Sequence, residues 1–347
     1  MAAFRPQTLS FNCTSAVLSI AVGHEPAIVR ARYVAQTTNA GTMPQTVSPD
    51  HVSDAIFKRF AAFIQNYCGI QITPQKRTMV EMRLHRRMQI LGLTNVDDYC
   101  AVLFGGDQAE VIPFINEITT NKTDFFREPV HFDYLAKKIL PQIARSGRQK
   151  VKIWSAASST GAEAYTCAML LEDFRRQQHL GYSILATDIC TDVLQTGIAG
   201  RYPLYMLDPI PEALRKHYVM LPRDPPGKEF RIMPSLRQKV NFLRLNLMDQ
   251  TYPVATDFDV IFCRNILIYF DHATQMQVLA RLSRHLRTGG FLIIGHSETV
   301  RGADLSLQPV HGGTIHQRID SDFSEGSRWS AHRLAERPGL ATFAMAS

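Results

Sequence analysis

Three polar breaks stand out where apolar strand patterns end. The run Tyr182-Ser183-Ile184-Leu185-Ala186-Thr187 stops on Asp188. The run Phe258-Asp259-Val260-Ile261-Phe262-Cys263 turns sharply into Arg264-Asn265. Between Trp154 and the helical pattern of Ala164, Cys167, Ala168 and Leu171 lies a turn of small residues, Ser155-Ala156-Ala157-Ser158-Ser159-Thr160-Gly161. In parallel α/β sheets, ligands bind just beyond the carboxyl ends of strands, where Asp188 and Arg264-Asn265 would sit. Small residues let a ligand approach the backbone, and the first N–H groups of the following helix are unpaired. A carboxylate at the tip of the second strand can accept both hydroxyls of a ribose. Asp188 has a plainer reading as well, as the cap of a helix starting at Thr191.

The stretch Val151 to Asp188 therefore reads as strand, tight turn, helix, strand, acid: a nucleoside-binding βαβ unit. Gly161 is the only glycine in the turn, so the G-x-G-x-x-G phosphate cradle is missing. That argues against a dinucleotide and for a nucleoside without a diphosphate, of which S-adenosylmethionine is the common one. After Asp188 a helix over Thr191 to Ala199 is closed by Gly200. Residues 201–239 interrupt the rhythm with seven prolines, a short helix from Pro211 to Tyr218, and candidate strands near Tyr218–Leu221 and Glu229–Met233. The Pro-Gly turn between them suggests an inserted antiparallel hairpin. Strands at Val240–Leu247 and Phe258–Cys263, a helix from Ala273 to Leu286, a strand at Phe291–Gly295 and a hairpin of Leu305–Val310 with Thr314–Arg318 complete a sheet of seven strands.

The chain ahead of this unit is helical. Ala55, Ile56, Phe60, Phe63 and Ile64 form one apolar stripe; Val80, Leu84, Met88 and Leu91 form another, stopped by Gly92. Two further helices are expected at Asp97–Leu103 and Val111–Ile118. On the second helix Lys76, Arg83 and Arg87 share one stripe beside the apolar one, which is either a solvated face or a docking face for an acidic helix or nucleic acid. The expected organisation is a disordered extension over 1–50, an all-helical domain over 51–120, a linking segment with a helix (Val130–Ile143) over 121–150, the α/β domain with its insertion over 151–319, and a disordered tail over 320–347. Met43, just ahead of the first clear helix, is a candidate translation start.

The whole chain has 347 residues and a formal charge of +7, which suggests an acidic partner. No apolar run approaches the ~20 residues of a membrane span. The six cysteines are scattered without a C-x-x-C pair, as expected of reduced thiols in a cytoplasmic protein. The twelve histidines show no metal-ligand spacing, and no metal is expected.

Five segments in order, NKTDFFRE (121–128), WSAASSTGAEAYT (154–166), ATDI (186–189), FDVIFCRNILIYFD (258–271) and GGFLIIGHSE (289–298), resemble the CheR family of chemotaxis receptor methyltransferases. The resemblance runs from about residue 51 to 319. It implies a Rossmann-like class I S-adenosylmethionine-dependent methyltransferase sheet, with an all-α N-terminal domain and a small inserted antiparallel β-subdomain. It implies methyl transfer from S-adenosylmethionine to glutamate side chains on the helical cytoplasmic domain of a chemoreceptor, by a monomer without membrane insertion or nucleic acid. It further implies cofactor contacts from Asn121, Thr123, Arg127, Glu163, Asp188, Asn246, Leu247, Arg264 and Asn265, with Tyr269 beside the transferred methyl and Arg127 at the substrate end. Leu247 is core on periodicity alone. Where the family turn helix reads Gly-Glu-Glu-Pro-Tyr, this chain has Gly161-Ala162-Glu163-Ala164-Tyr165, which loses one acid and the stiffening proline. That departure leaves open a silent cofactor-binding scaffold. A methyltransferase for RNA or a small molecule is the other alternative, but the basic helix Gln75–Gln89 has no Phe, Tyr or Trp on which a base could stack. An acidic receptor helix would suit Lys76, Arg83 and Arg87.

The implied chemistry is self-consistent. A glutamate carboxylate, with a pKa near ~4.3, is already ionised at neutral pH and needs no general base. Negative nucleophile and positive sulfonium lose charge in the transition state, so excluding water helps. The protein is left with alignment, which can supply roughly 7–11 kcal/mol of a barrier.

Overall fold

Why the polar breaks converge is a matter of strand register. The strands are β1 (Lys150–Ala156), β2 (Gly181–Asp188), β3 (Arg201–Pro203), β4 (Val219–Met220), β5 (Glu229–Ile232), β6 (Val240–Arg244), β7 (Phe258–Cys263), β8 (Leu286–Ile294), β9 (Leu307–His311) and β10 (Ile315–Arg318). The main sheet runs in the order β6-β2-β1-β7-β8-β10-β9. Ala156 pairs with Thr187 of β2 on one side and Cys263 of β7 on the other, and Asp188 pairs with Arg244 of β6. Four parallel strands therefore end level, and the residues that follow them share one edge. The chain order reverses about β1, which is where open α/β sheets bind ligands. All six residues of β7 are buried, as a strand covered on both faces requires. β10 is antiparallel to both β8 and β9 and closes the sheet.

The computed structural model describes residues 52–105, 108–222, 227–300 and 305–319. The expected disordered tails and the Met43 start lie outside the described residues, as do 223–226, in the expected Pro-Gly turn. The inserted subdomain has three antiparallel strands, β3-β5-β4, where the sequence showed two. Three residues ending in a proline are too few to show a period, which is why β3 was not read. β8 begins at Leu286, earlier than the expected Phe291. Gly289 and Gly290 sit inside the strand where its register with β7 shifts, and a side chain at Gly290 would lie 2.9 Å from the Arg287 carbonyl. The glycine pair forms a bulge within β8. β6 ends at Arg244, short of the expected Leu247, and Leu245 N–H makes the last bond of its ladder, to Asp188 O at 3.0 Å.

Ahead of the linking segment the described residues form α1 (Asp54–Cys68), α2 (Arg77–Leu91), α3 (Val96–Phe104) and α4 (Gln108–Ile118). Ser53 caps α1 through Ile56 N–H, and Gly69 ends it in the left-handed region. Phe60 packs against Tyr99 and Phe114 at the centre of this helical part. On α2, Val80, Leu84 and Met88 are buried, but Leu91 is exposed, so the apolar stripe stops a turn early. The linking helix is not one piece. It comprises α5 (Pro129–Tyr134), a wide turn over Leu135–Ile139 and α6 (Leu140–Arg145). Pro141 has no N–H to give the preceding turn, which the wide turn accommodates. The remaining helices are α7 (Ala162–Gln178), α8 (Thr191–Ala199), α9 (Glu212–Tyr218), α10 (Pro234–Arg237) and α11 (His272–His285).

The helical part is fastened to the sheet by backbone polar groups. Gln71 N–H donates to Tyr269 O at 2.8 Å, and Asn246 Nδ2 donates to Tyr67 O at 2.6 Å. A Cβ at Gly69 would lie 2.7 Å from Met248 Sδ, so only glycine allows this approach.

Candidate active site

A cavity of about 340 Å³ opens at the carboxyl edge of the sheet. Its walls hold Asn121, Thr123, Arg127, Glu163, Asp188, Asn246, Leu247, Arg264, Asn265, Tyr269 and Lys76. The structure thus brings together every residue expected at the cofactor or the reacting centre. The helical part contributes a wall as well, through Cys68, Ile70, Ile72 and Met79. Those apolar residues were unreadable as site residues, because each also fits a core pattern.

The turn after β1 is held in a strained form. Ala157 and Ser159 have φ of 58° and 50°, and Gly161 has 82°. Asp188 holds it there: its Oδ2 accepts Ser159 N–H at 2.8 Å and its Oδ1 accepts Cys190 N–H at 2.9 Å. Burial pushes the Asp188 carboxyl above its ordinary value, partly offset by these two backbone donors. Asp188 is therefore the loop-holding acid and a cavity wall at once; each oxygen keeps further acceptor capacity. Ser158 Oγ, also on the cavity wall, is buried without a hydrogen-bond partner. A ligand with hydroxyl or amino groups would satisfy it.

Arg264 is not a free cofactor contact. Its side chain is 2% exposed and bridges Glu163 Oε2 at 2.9 Å and Glu128 Oε2 at 3.0 Å. It also donates to Arg127 O. Glu163 Oε1 accepts from Ser155 Oγ at 2.7 Å. Asn265, at φ 58°, donates to Glu128 Oε1 at 3.0 Å. Burial works to raise the Glu128 carboxyl, but the bonds from Asn265 and Arg264 outweigh it and hold it below its ordinary value. Behind this network Glu298 accepts N–H groups of Gly295, Asn265 and Leu267 at 2.6, 3.0 and 2.7 Å. Burial raises its carboxyl, and the backbone donors partly offset that. Glu128 and Glu298 both stand in the quoted family segments, yet no local signal marked them as braces.

Arg127 is different. Its side chain makes one hydrogen bond, to Lys122 O at 3.1 Å, and no ion pair among the described residues. Tyr269, half-buried in the turn Leu267–Tyr269, presents its ring to the cavity, with Lys76 Nζ 5.2 Å from the ring centre.

The three basic residues expected on one docking stripe separate. Lys76 reaches the cavity. Arg83 is turned inward onto Ile118 O and Thr119 O. Arg87 forms a two-pronged pair with Glu110, 3.0 and 2.7 Å, to which Tyr99 adds a 2.7 Å hydrogen bond. Neither Arg83 nor Arg87 is a free cation. Arg86, with a side chain 71% exposed, faces solvent and lies 3.4 Å from Glu117.

Glu128, His131 and His296 bring ligand-type atoms within 4.8 Å of one another, a grouping with no sequence spacing to announce it. Both oxygens of Glu128 are already taken by Arg264 and Asn265, and burial with the Arg264 charge pulls the His131 imidazole down to about 4. This cluster is an ion-pair hub beside the cavity. The five described cysteines are buried and free.

Comparison with known proteins settles the family. The CheR methyltransferase S-adenosylmethionine-binding domain matches residues 121–314, and the CheR all-alpha domain matches 55–119. The chain belongs to the CheR methyltransferase family. A chemotaxis protein methyltransferase of Borreliella burgdorferi is 36% identical over 70% of this chain and 88% of its own length. Those of Salmonella typhimurium and Escherichia coli are 38% and 39% identical over 75% and 71% of this chain, and 90% and 85% of their own lengths. This CheR protein is accordingly an S-adenosylmethionine-dependent methyltransferase of chemotaxis.

Proposed function

We propose that this CheR protein esterifies glutamate side chains on the helical cytoplasmic domain of a chemoreceptor, with the reacting centre between Arg127 and Tyr269. What supports this reading is one contrast of charge. Inside the cavity, Arg264 is neutralised by Glu128 and Glu163, whereas Arg127 and Lys76 on its walls have no carboxylate partner among the described residues. Two unpaired cations beside a pocket that also holds carboxylates suit a zwitterionic, sulfonium-bearing ligand within and an anionic substrate at the mouth.

The residues present fit the cofactor: Asp188 and Glu163 offer acceptors, Ser158 Oγ is unpartnered, and Asn121, Thr123, Asn246 and Asn265 supply short polar groups. S-adenosylmethionine, when bound, supplies a methyl group on a positive sulfur. Arg127 orients the incoming carboxylate by a charge-assisted hydrogen bond. Tyr269 lines the approach, and the apolar wall of Ile70, Ile72 and Met79 keeps water from it. No residue has to remove a proton, since the attacking carboxylate is already ionised. Lys76, stacked over Tyr269, steers the acidic helix towards the mouth.

The chain acts as a monomer in the cytoplasm, without nucleic acid. Buried free thiols suit a reducing compartment, and no described helix is long and apolar enough to cross a membrane. A radiolabelled methyl-transfer assay on a purified receptor cytoplasmic fragment tests the proposal. The expected product is receptor-bound label released as a volatile compound by base, as an ester requires; label that resists base would refute the carboxylate substrate.

A further inference from the structure

Helix α8 starts beside the cavity without a cap of its own: Cys190, at its N-cap, makes no side-chain capping bond. The cap comes from the helical domain. Asn116 of α4 accepts Thr191 N–H at Oδ1 (2.9 Å), and its Nδ2 donates to Thr191 Oγ1 (2.7 Å) and Asp192 Oδ1 (3.0 Å). The first N–H groups of a helix lack intrahelical partners, so a side chain that takes one fixes where the helix begins. Here the capping side chain lies 75 positions away in sequence and in the other domain.

The same residue reaches the opposite wall of the cavity. Asn116 O accepts from Thr119 Oγ1 at 3.1 Å, Thr119 Oγ1 accepts from Asn121 Nδ2 at 3.3 Å, and Asn121 O accepts from Ser159 Oγ at 2.8 Å. Thr119, Asn121, Ser159, Asp188 and Ile189 all line the cavity. One asparagine thus ties the segment entering the cavity at 119–121 to the β2–α8 turn that carries Asp188, whose own bond to Cys190 N–H lies next to the capped residue.

We infer that Asn116 is a positioning residue for the cofactor: it sets the spacing between the Asn121 and Asp188 walls and so makes cofactor affinity depend on the docked helical domain. The inference rests on the proposal that S-adenosylmethionine occupies this cavity. Asn116 touches neither cofactor nor substrate, so its effect falls on binding and not on the methyl-transfer step.

The test is calorimetry with S-adenosylhomocysteine on the full chain, beside steady-state kinetics. Asn116→Asp keeps the acceptor for Thr191 N–H but sets a second carboxylate against Asp192. It is expected to weaken binding about 2- to 10-fold, the range of a lost hydrogen bond, and to raise the KM for S-adenosylmethionine equally, with kcat changed less than about twofold. The double variant Asn116→Asp/Asp192→Asn restores a donor across the same gap and is expected to recover most of the affinity. Asp192→Ala, at an exposed position, is expected to weaken binding by about twofold or more and serves if Asn116→Asp does not fold. A lowered Tm with unchanged affinity in these variants would overturn the inference, as would failure of the double variant to recover. Asp188→Asn, at a residue fitted to the cofactor, separates the two claims. If it loses binding while the Asn116 and Asp192 variants do not, only the positioning role is wrong; if none of them changes affinity, the cavity is not the cofactor site.

Discussion

Arg264, at the end of β7, donates to Glu163, in the first turn of α7, across 2.9 Å. The two residues are 101 positions apart in the chain. Their pair, with Glu128 on the other side of the guanidinium, joins the strand end, the helix start and the 121–128 segment at one buried point. A planar fork can meet two carboxylates at once; an ammonium cannot reproduce that geometry.

Replacing Arg264 with Met therefore leaves two carboxylates buried without their cation. The expected cost is about 3–5 kcal/mol of stability, read as a lower urea midpoint at unchanged m-value. Arg264→Lys should recover only part of it. A midpoint within error of the parent for Arg264→Met would show that the pairs contribute nothing.

Arg87 and Arg86 are neighbours with opposite prospects. Arg87→Glu sets a second carboxylate against Glu110 inside the helical domain, with an expected loss of about 3–5 kcal/mol. Arg86→Glu breaks only an exposed pair, 3.4 Å from Glu117, and should cost no more than about 1 kcal/mol. Paired urea titrations check this. Equal effects of the two reversals would contradict the inward placement of Arg87.

The Arg127 side chain can be removed without disturbing the fold, since its one bond among the described residues is to a backbone carbonyl. Arg127→Ala should lower kcat/KM for receptor methylation by roughly 10- to 150-fold, the value of a hydrogen bond to a charged group. Thermal unfolding should be nearly unchanged. Full activity in the variant would remove Arg127 from the reacting centre.

His131 predicts a pH dependence. Burial, reinforced by the Arg264 charge, lowers its imidazole from 6.5 to about 4 in the folded protein. Between those values the unfolded chain binds the proton and the folded one does not. The stability contributed by neutral His131 is present above about pH 6.5 and is lost as pH falls towards about 4. Unfolding free energies measured from pH 7 to 4 should fall more steeply for the parent than for His131→Gln. Parallel curves would exclude this residue as the source.

Gly295 sits where a Cβ would meet Asn265 Nδ2 at 2.7 Å and Glu298 Oε2 at 2.9 Å. Gly295→Ala should displace Asn265 and weaken S-adenosylhomocysteine binding by about tenfold or more, the effect of losing about 1.4 kcal/mol. Calorimetry reads this directly, and unaltered affinity would mean that Asn265 does not face the ligand.

The βαβ unit, the polar strand ends and the helical leader were legible without coordinates. Each is written locally: apolar runs of strand length, a turn of small residues, and a periodic helix after it. Because parallel strands that end level deliver their next residues to one edge, Asp188 and Arg264-Asn265 could be placed near one another from pattern alone. What pattern could not decide was which polar groups would be left unpaired. Lys76, Arg83 and Arg87 have the same charge and helical spacing, yet Glu110 and the carbonyls at the end of α4 take two of them and leave the third at the cavity. Glu298 behind Asn265, Asn116 over α8 and the Ile70–Met79 wall likewise depend on contacts between segments far apart in the chain. Local periodicity carries backbone conformation and the apolar face, because these answer to neighbours three or four residues away. The partner of a buried charge is chosen by whatever the fold sets beside it, and only the tertiary structure holds that information.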